Sequence, residues 1–142
     1  MKNYLFVYGS LRDGFFNFDK YLAGKVISRE LGKVSEGKLY HMPNKGYPAL
    51  LKGDTDIVGE VIEVKNFDAL IKDLDQMEGF ISEGDPNNEY NRELLEVTLV
   101  DSNKKVNAYT YVYNMNDKHE FDKHAVHVHH GDWKKFMLHD KK

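Results

Sequence analysis

An α+β fold is predicted by three features of this sequence: strand-like apolar runs through most of its length, a helical apolar stripe from about residue 67 to 78, and an alternating hairpin over 90–113. The first element is Tyr4-Leu5-Phe6-Val7-Tyr8, a continuous apolar and aromatic run that stops at Gly9-Ser10 and reads as a buried strand feeding a turn. Gly14 keeps that turn loose. Asn17 then stands where a cap would open a short helix carrying Phe18, Tyr21 and Leu22 on one side, with Gly24 as its stop.

From Lys25 to His41 the pattern is strand-like, interrupted by Gly32 and Gly37, which mark bulges or corners of a curved sheet. It reads as two strands or one bent strand. Gly46-Tyr47-Pro48-Ala49-Leu50-Leu51 is a turn entering a short strand, and Gly53-Asp54 turns the chain into an alternating strand from Ile57 to Val64, with Val61 or Ile62 inward. Asn66 reads as an N-cap and Asp68 as a first-turn acid favoured by the helix dipole. The helix carries Phe67, Leu70, Ile71 and Leu74 on one stripe, continued by Met77 and Glu78 just before Gly79 ends it. A polar loop over 82–88 precedes two alternating segments, Tyr90 to Val100 and Val106 to Tyr113, joined by the turn Asp101 to Lys105. The second segment puts Tyr109, Tyr111 and Tyr113 on one face. A histidine-rich stretch from His119 to His130 follows, and Gly131-Asp132-Trp133 opens a last short helix through Met137 to Leu138.

The 142 residues fit one domain, taken as the whole chain 1–142, and 41% hydrophobic residues suffice for a real core. A net charge of −3 and a pI near 6.1 give no broad basic field, so neither nucleic acid nor an anionic membrane is an expected partner. A small, neutral or cationic ligand fits better. Cysteine is absent, which removes disulfides, thiolate metal sites and cysteine nucleophiles. Met1-Lys2-Asn3-Tyr4 leads straight into a strand without a leader pattern, and no apolar run reaches the ~20 residues of a membrane span, so a cytoplasmic location is expected.

Glu78 is the sharpest single residue. An ionised glutamate on an apolar stripe costs free energy unless it is paired or serves a function; the competing reading is a helix-end glutamate turned out to solvent. If inward, its pKa rises towards the range useful for a general acid or base. Tyr8-Gly9-Ser10-Leu11-Arg12 ends a strand on glycine, so main-chain N–H groups there can approach an anion, although such a sequence also makes an ordinary turn. His124, His127, His129 and His130 raise a metal reading, but there is no HExxH spacing, His127 and His129 would share a strand face without an evident carboxylate partner close in sequence, and surface histidines are the simpler account. Ser10 lacks the Gly-x-Ser-x-Gly context of a nucleophile.

Tyr8-Gly9-Ser10-Leu11 at the first strand end, Gly46-Tyr47-Pro48-Ala49-Leu50 in the middle, Leu74-Asp75-Gln76-Met77-Glu78-Gly79-Phe80 at a helix end and Tyr90-Asn91-Arg92 opening a strand together resemble the γ-glutamylcyclotransferase-like family. The resemblance covers residues 3 to 114, with a looser echo at Gly131-Asp132-Trp133. It implies a small mixed β-barrel flanked by short helices, with a cavity between the strand-ending loop and the glutamate. It further implies a γ-glutamyl amide substrate whose own α-amine attacks the γ-carbonyl, releasing 5-oxoproline and an amine or amino acid, with no metal or cofactor. Carried over by position, Tyr8, Gly9, Ser10 and Leu11 line the glutamyl site, with main-chain N–H groups on the α-carboxylate. Glu78 is the acid/base, and Tyr47, Pro48, Tyr90 and Tyr113 complete the lining. The leaving group and the oligomeric state stay open. A non-catalytic small-molecule binding module on the same barrel is the alternative.

Overall fold

The computed structural model describes residues 3–12, 15, 17–43, 45–115 and 118–140, without the side chains of 139 and 140. The expectation for Gly14 lies outside the described residues. In chain order the elements are β1 (Tyr4–Val7), a π-helical turn (Phe18–Leu22), β2 (Val26–Met42), β3 (Tyr47–Lys52), β4 (Thr55–Val64), α1 (Phe67–Glu78), β5 (Tyr90–Leu99), β6 (Lys105–Tyr113), α2 (Lys118–His124), β7 (Val126–His127) and α3 (Trp133–Lys135), which runs on into a second π-helical turn (Phe136–Asp140).

β1 is the central strand of the path β3-β2-β4-β1-β6-β5, antiparallel to β4 and parallel to β6. β5 returns to β2 through Gly32↔Leu99 and Lys33↔Thr98, which closes β2, β4, β1, β6 and β5 into a five-stranded mixed barrel. β3 extends the sheet along the distal half of β2, from Gly37↔Lys52 to Met42↔Tyr47, and β7 pairs with β2 at Tyr40 and His41. The segment after Lys25 is therefore one long bent strand. Its pairing with β4 shifts register between Val26 and Ser28 and again between Val34 and Gly37. Gly37 thus sits at a bulge, whereas Gly32 sits at the barrel closure.

The expected alternation in β4 is overridden, because Val61 and Ile62 are both buried, at 4% and 1% exposure. The reason is two-sided packing. Ile57 and Val61 join Phe6, Val34, Val97 and Ala108 in the barrel interior. Ile62 and Val64 join Leu5, Val7, Leu70 and Leu74 on the outside, where α1 covers the sheet.

Residues 67–78 do form the expected amphipathic helix, with Leu70 and Leu74 buried. Asn66 precedes it, but in the left-handed region (φ 51°) and without a side-chain cap; its carbonyl takes the first helical bonds, from Ala69 and Leu70. Asn17 likewise makes no side-chain cap. At the far end Gly79 adopts φ 70°, and the Phe80 N–H reaches the Asp75 carbonyl at 2.8 Å, a left-handed stop suited to glycine. Among the described residues, no helix is long and apolar enough to cross a membrane.

Leu74 ties the last turns of α1 to the sheet with no exposed surface. Leu74→Ala is expected to lower unfolding free energy by about 2–4 kcal/mol in urea titrations, whereas Lys72→Ala, on the exposed face, stays within about 0.5 kcal/mol.

Candidate active site

The last turn of α1 and the loop after β1 face each other across a cavity of about 290 Å³. Tyr8, Gly9, Ser10 and Leu11 supply one wall, Leu74, Met77 and Glu78 another, and Tyr47, Pro48, Glu89 and Tyr90 the rim opposite. Four-residue helical spacing brings Glu78 to the face that Leu74 occupies one turn earlier. The carboxylate is partly buried, and among the described residues it has no hydrogen-bond partner. It lines the cavity without being tied to a wall.

Desolvation, reinforced by the negative charge of Glu89, pushes the Glu78 pKa up to about 8. Glu89 itself accepts a hydrogen bond from Lys45 Nζ at 2.6 Å and another from the Tyr47 hydroxyl. Two carboxylates thus share one hollow in different states: one in a charge-assisted pair, the other unpaired and inclined to hold its proton.

The loop is fixed on several sides. The Arg12 N–H bonds the Gly9 carbonyl at 2.9 Å and closes a turn. Gly9 presses against Pro48, whose Cγ would lie 2.6 Å from any Cβ there, so a larger residue would push the loop off the rim. Asn17 Nδ2 donates to Ser10 Oγ at 2.7 Å and touches the Met77 sulfur at 3.9 Å, which is why Asn17 does not cap the turn that follows it. The Ser10 hydroxyl is therefore engaged. Among the described residues, the N–H groups of Ser10 and Leu11 donate to no carbonyl, so they remain available to an anion in the cavity.

Tyrosine hydroxyls hold the surrounding frame. Tyr8 donates to the Tyr111 carbonyl and Tyr90 to the Pro48 carbonyl, each at 2.5 Å, and burial raises the pKa of both, so they remain protonated donors. The Tyr111 hydroxyl donates to Asp75 at 2.6 Å, and Arg92 binds the other oxygen of that carboxylate. The Arg92 guanidinium also lies over the Phe80 ring, 5.0 Å from its centroid. These bonds lock the C-terminal end of α1 to β5 and β6.

Tyr47, Pro48 and Tyr90 line the cavity, whereas Tyr113 does not. Tyr113 stands behind Tyr90, edge-on at 5.4 Å, and stacks on Phe121, because the outer face of β6 turns away from the hollow at its end. The sequence reading missed Lys20, Tyr21, Lys45 and Glu89, all at the cavity, and took Asn17 for a cap. Glu89 carried one usable signal, its place beside Tyr90 at the head of a strand. The histidines lie elsewhere: His127 and His129 are neighbours, with ring centroids 4.0 Å apart, and among the described residues no group of three or more His, Asp and Glu side chains is placed to hold a metal.

A family model described as γ-glutamyl cyclotransferase, AIG2-like, matches residues 5–135. The chain belongs to that family. It is 32% identical over 134 residues to γ-L-glutamyl-butirosin B γ-glutamyl cyclotransferase of Niallia circulans, covering 94% of this chain and 77% of the relative. Its fold resembles the crystal structure of an AIG2-like protein from Mus musculus, with a TM-score of 0.71 at 22% identity over 92% of this chain and 87% of that one. It also resembles the solution structure of protein ytfP from Escherichia coli, with a TM-score of 0.62 at 23% identity over 92% and 95% of the two chains.

A carboxyl whose pKa is raised by folding favours the folded state when protonated and burdens it when ionised. Its contribution is intact below the unfolded value of 4.5 and is lost as pH climbs through about 8. Thermal melts of Glu78→Gln against wild type should therefore diverge progressively above pH 4.5, with the variant more stable and the gap levelling off beyond pH 8 at a few kcal/mol. Removing the neighbouring charge by Glu89→Gln should move the Glu78 midpoint down, read from the side-chain carboxyl signal in a 13C NMR titration; an unmoved midpoint would show that Glu89 does not influence Glu78.

Proposed function

We propose that this protein is a γ-glutamyl amide cyclotransferase that converts its substrate to 5-oxoproline and a free amine or amino acid, with Glu78 as the acid/base. The observation carrying this reading is an unpaired, proton-favouring carboxyl opposite free main-chain N–H groups in one hollow. Family membership and the Niallia circulans relative support cyclotransferase activity in general.

In this reading the amides of Ser10 and Leu11 take the substrate α-carboxylate, which directs the α-ammonium and the γ-carbonyl towards Glu78. The ammonium favours the ionised carboxylate as it binds, so Glu78 gives up its proton on loading. Glu78 then accepts a proton from the ammonium, and the freed amine attacks the γ-carbon. As the new carbon–nitrogen bond closes the five-membered ring, the departing nitrogen takes the proton back from Glu78 and the old amide bond breaks, while the ring nitrogen sheds its second proton to the carboxylate so regenerated. The balance needs proton transfer alone. Nucleophile and electrophile already belong to one molecule, so holding the folded conformer supplies much of the ~7–11 kcal/mol available to aligned intramolecular reactions.

The raised pKa suits this double duty, because a carboxyl that starts from about 8 without substrate stays closer to the amine's range once the ammonium has drawn it down than an ordinary carboxylate would. A panel of γ-glutamyl amino acids and γ-glutamylamines, assayed for 5-oxoproline, tests the reading. Glu78→Gln should cut kcat by at least about 10³-fold while retaining substrate-induced thermal stabilisation. Stabilisation of the wild type without product, across the panel, would instead mark a binding module.

A further inference from the structure

Below the active-site loop lies a buried ionic network that contributes nothing to the cavity wall. Arg12, 4% exposed, places Nε 3.3 Å from Glu60 Oε2 and Nη1 3.0 Å from Asp132 Oδ1. Glu60 belongs to β4, directly across from Val7 at the end of β1, and is 6% exposed. Asp132 caps α3 by accepting the Lys135 N–H at 3.1 Å, one residue after Gly131 gives its carbonyl to the Val58 N–H at 2.8 Å. Trp133, the next residue, is 1% exposed and donates its indole N–H to His41 at 3.0 Å. The C-terminal segment is thus bolted to the barrel on both sides of Asp132, and Asp132 is bolted to Arg12.

Arg12 is also the residue that closes the Gly9–Arg12 turn through its own N–H. Its side chain and its main chain therefore act on the same few atoms: moving the guanidinium displaces the turn that aims the Ser10 and Leu11 amides. Glu60 Oε1 has no hydrogen-bond partner among the described residues, so the network leaves part of a buried carboxylate unsatisfied. Buried ion pairs of this kind add little net stability compared with apolar packing of equal volume, and what they do supply is geometry.

We propose that Arg12, Glu60 and Asp132 are positioning residues that set the anion-binding amides of Ser10 and Leu11, making residues 131–133 part of the substrate-binding apparatus although they never reach the cavity. The consequence for turnover rests on the cyclotransferase reading; the consequence for the loop does not. Glu78 is held by α1, a separate element, so the network should govern binding while leaving the proton-transfer group unaltered.

The test compares Arg12→Lys, Asp132→Asn and the double variant Arg12→Met with Glu60→Gln, which removes the two deeply buried charges together and leaves Asp132, whose side chain is 25% exposed, to its cap on Lys135 and to solvent. The double variant should raise KM for a γ-glutamyl amide about tenfold, with kcat within about threefold and the pH dependence of kcat unmoved. Asp132→Asn, which preserves the cap on Lys135, and Arg12→Lys, which keeps charge but loses the fork, should fall between it and wild type. Backbone 15N order parameters at Ser10 and Leu11 should drop below those of Leu5 to Val7, a readout that needs no turnover. Folded variants with wild-type KM and unchanged order parameters at the loop would overturn the proposal. If the double variant does not fold, Asp132→Asn alone decides by the same two measurements. Absence of 5-oxoproline from the wild type would defeat the cyclotransferase reading and leave the loop measurement to judge the network.

Discussion

The arrangement depends on one helix end being held rigidly enough to keep a carboxyl in a hollow where water solvates it poorly. Leu74 anchors the turn from beneath, Asp75 is taken from the side by Tyr111 and Arg92, and Gly79 turns the chain away in a conformation that a Cβ would strain. Without those constraints a glutamate at a helix terminus would swing to solvent and recover its hydration. Confinement is therefore imposed by the neighbours of Glu78 rather than by any bond it makes. On the proposed reading, the freedom of its oxygens lets it exchange a proton with the substrate.

Much of this was legible because it is local. The stripe through Leu70 and Leu74 extends to Glu78 by helical spacing alone, and the abrupt end of β1 at Gly9-Ser10 marks a place where main chain can come close to a ligand. The hairpin over 90–113 follows from alternation and a polar turn, and the structure pairs Tyr90 with Tyr113 and Thr98 with Lys105 as that pattern requires. Motifs that meant little singly acquire their sense in contact: Leu74-to-Phe80 and Tyr90-Asn91-Arg92 lie together because Arg92 grips Asp75 and covers Phe80.

What was not legible is what tertiary closure decides. Lys45 and Glu89 are 44 positions apart, in a turn and at a strand start, and nothing periodic connects them. Asn17 has the local signature of a cap, yet a buried hydroxyl and a thioether outcompete the helix for its side chain. Tyr113 alternates in phase with Tyr111, but curvature at the end of β6 carries it past the cavity, against α2. Period-two reasoning assigns a face; it does not say how far along that face the hollow extends. β4 failed the alternation test for a related reason, since a barrel strand covered by a helix has no solvent side to keep polar.

The polar balance of the rim gives the site a further property. Glu89 is paired with Lys45 and accepts the Tyr47 hydroxyl, yet a charge compensated from one direction still leaves a field in another, and that field reaches Glu78. A cationic group entering between the two carboxylates would favour ionised Glu78 by direct attraction, against both the desolvation and the Glu89 repulsion that raise its pKa. On the proposed reading, the substrate ammonium would itself draw the proton from Glu78 and so leave the carboxylate ready to act as base.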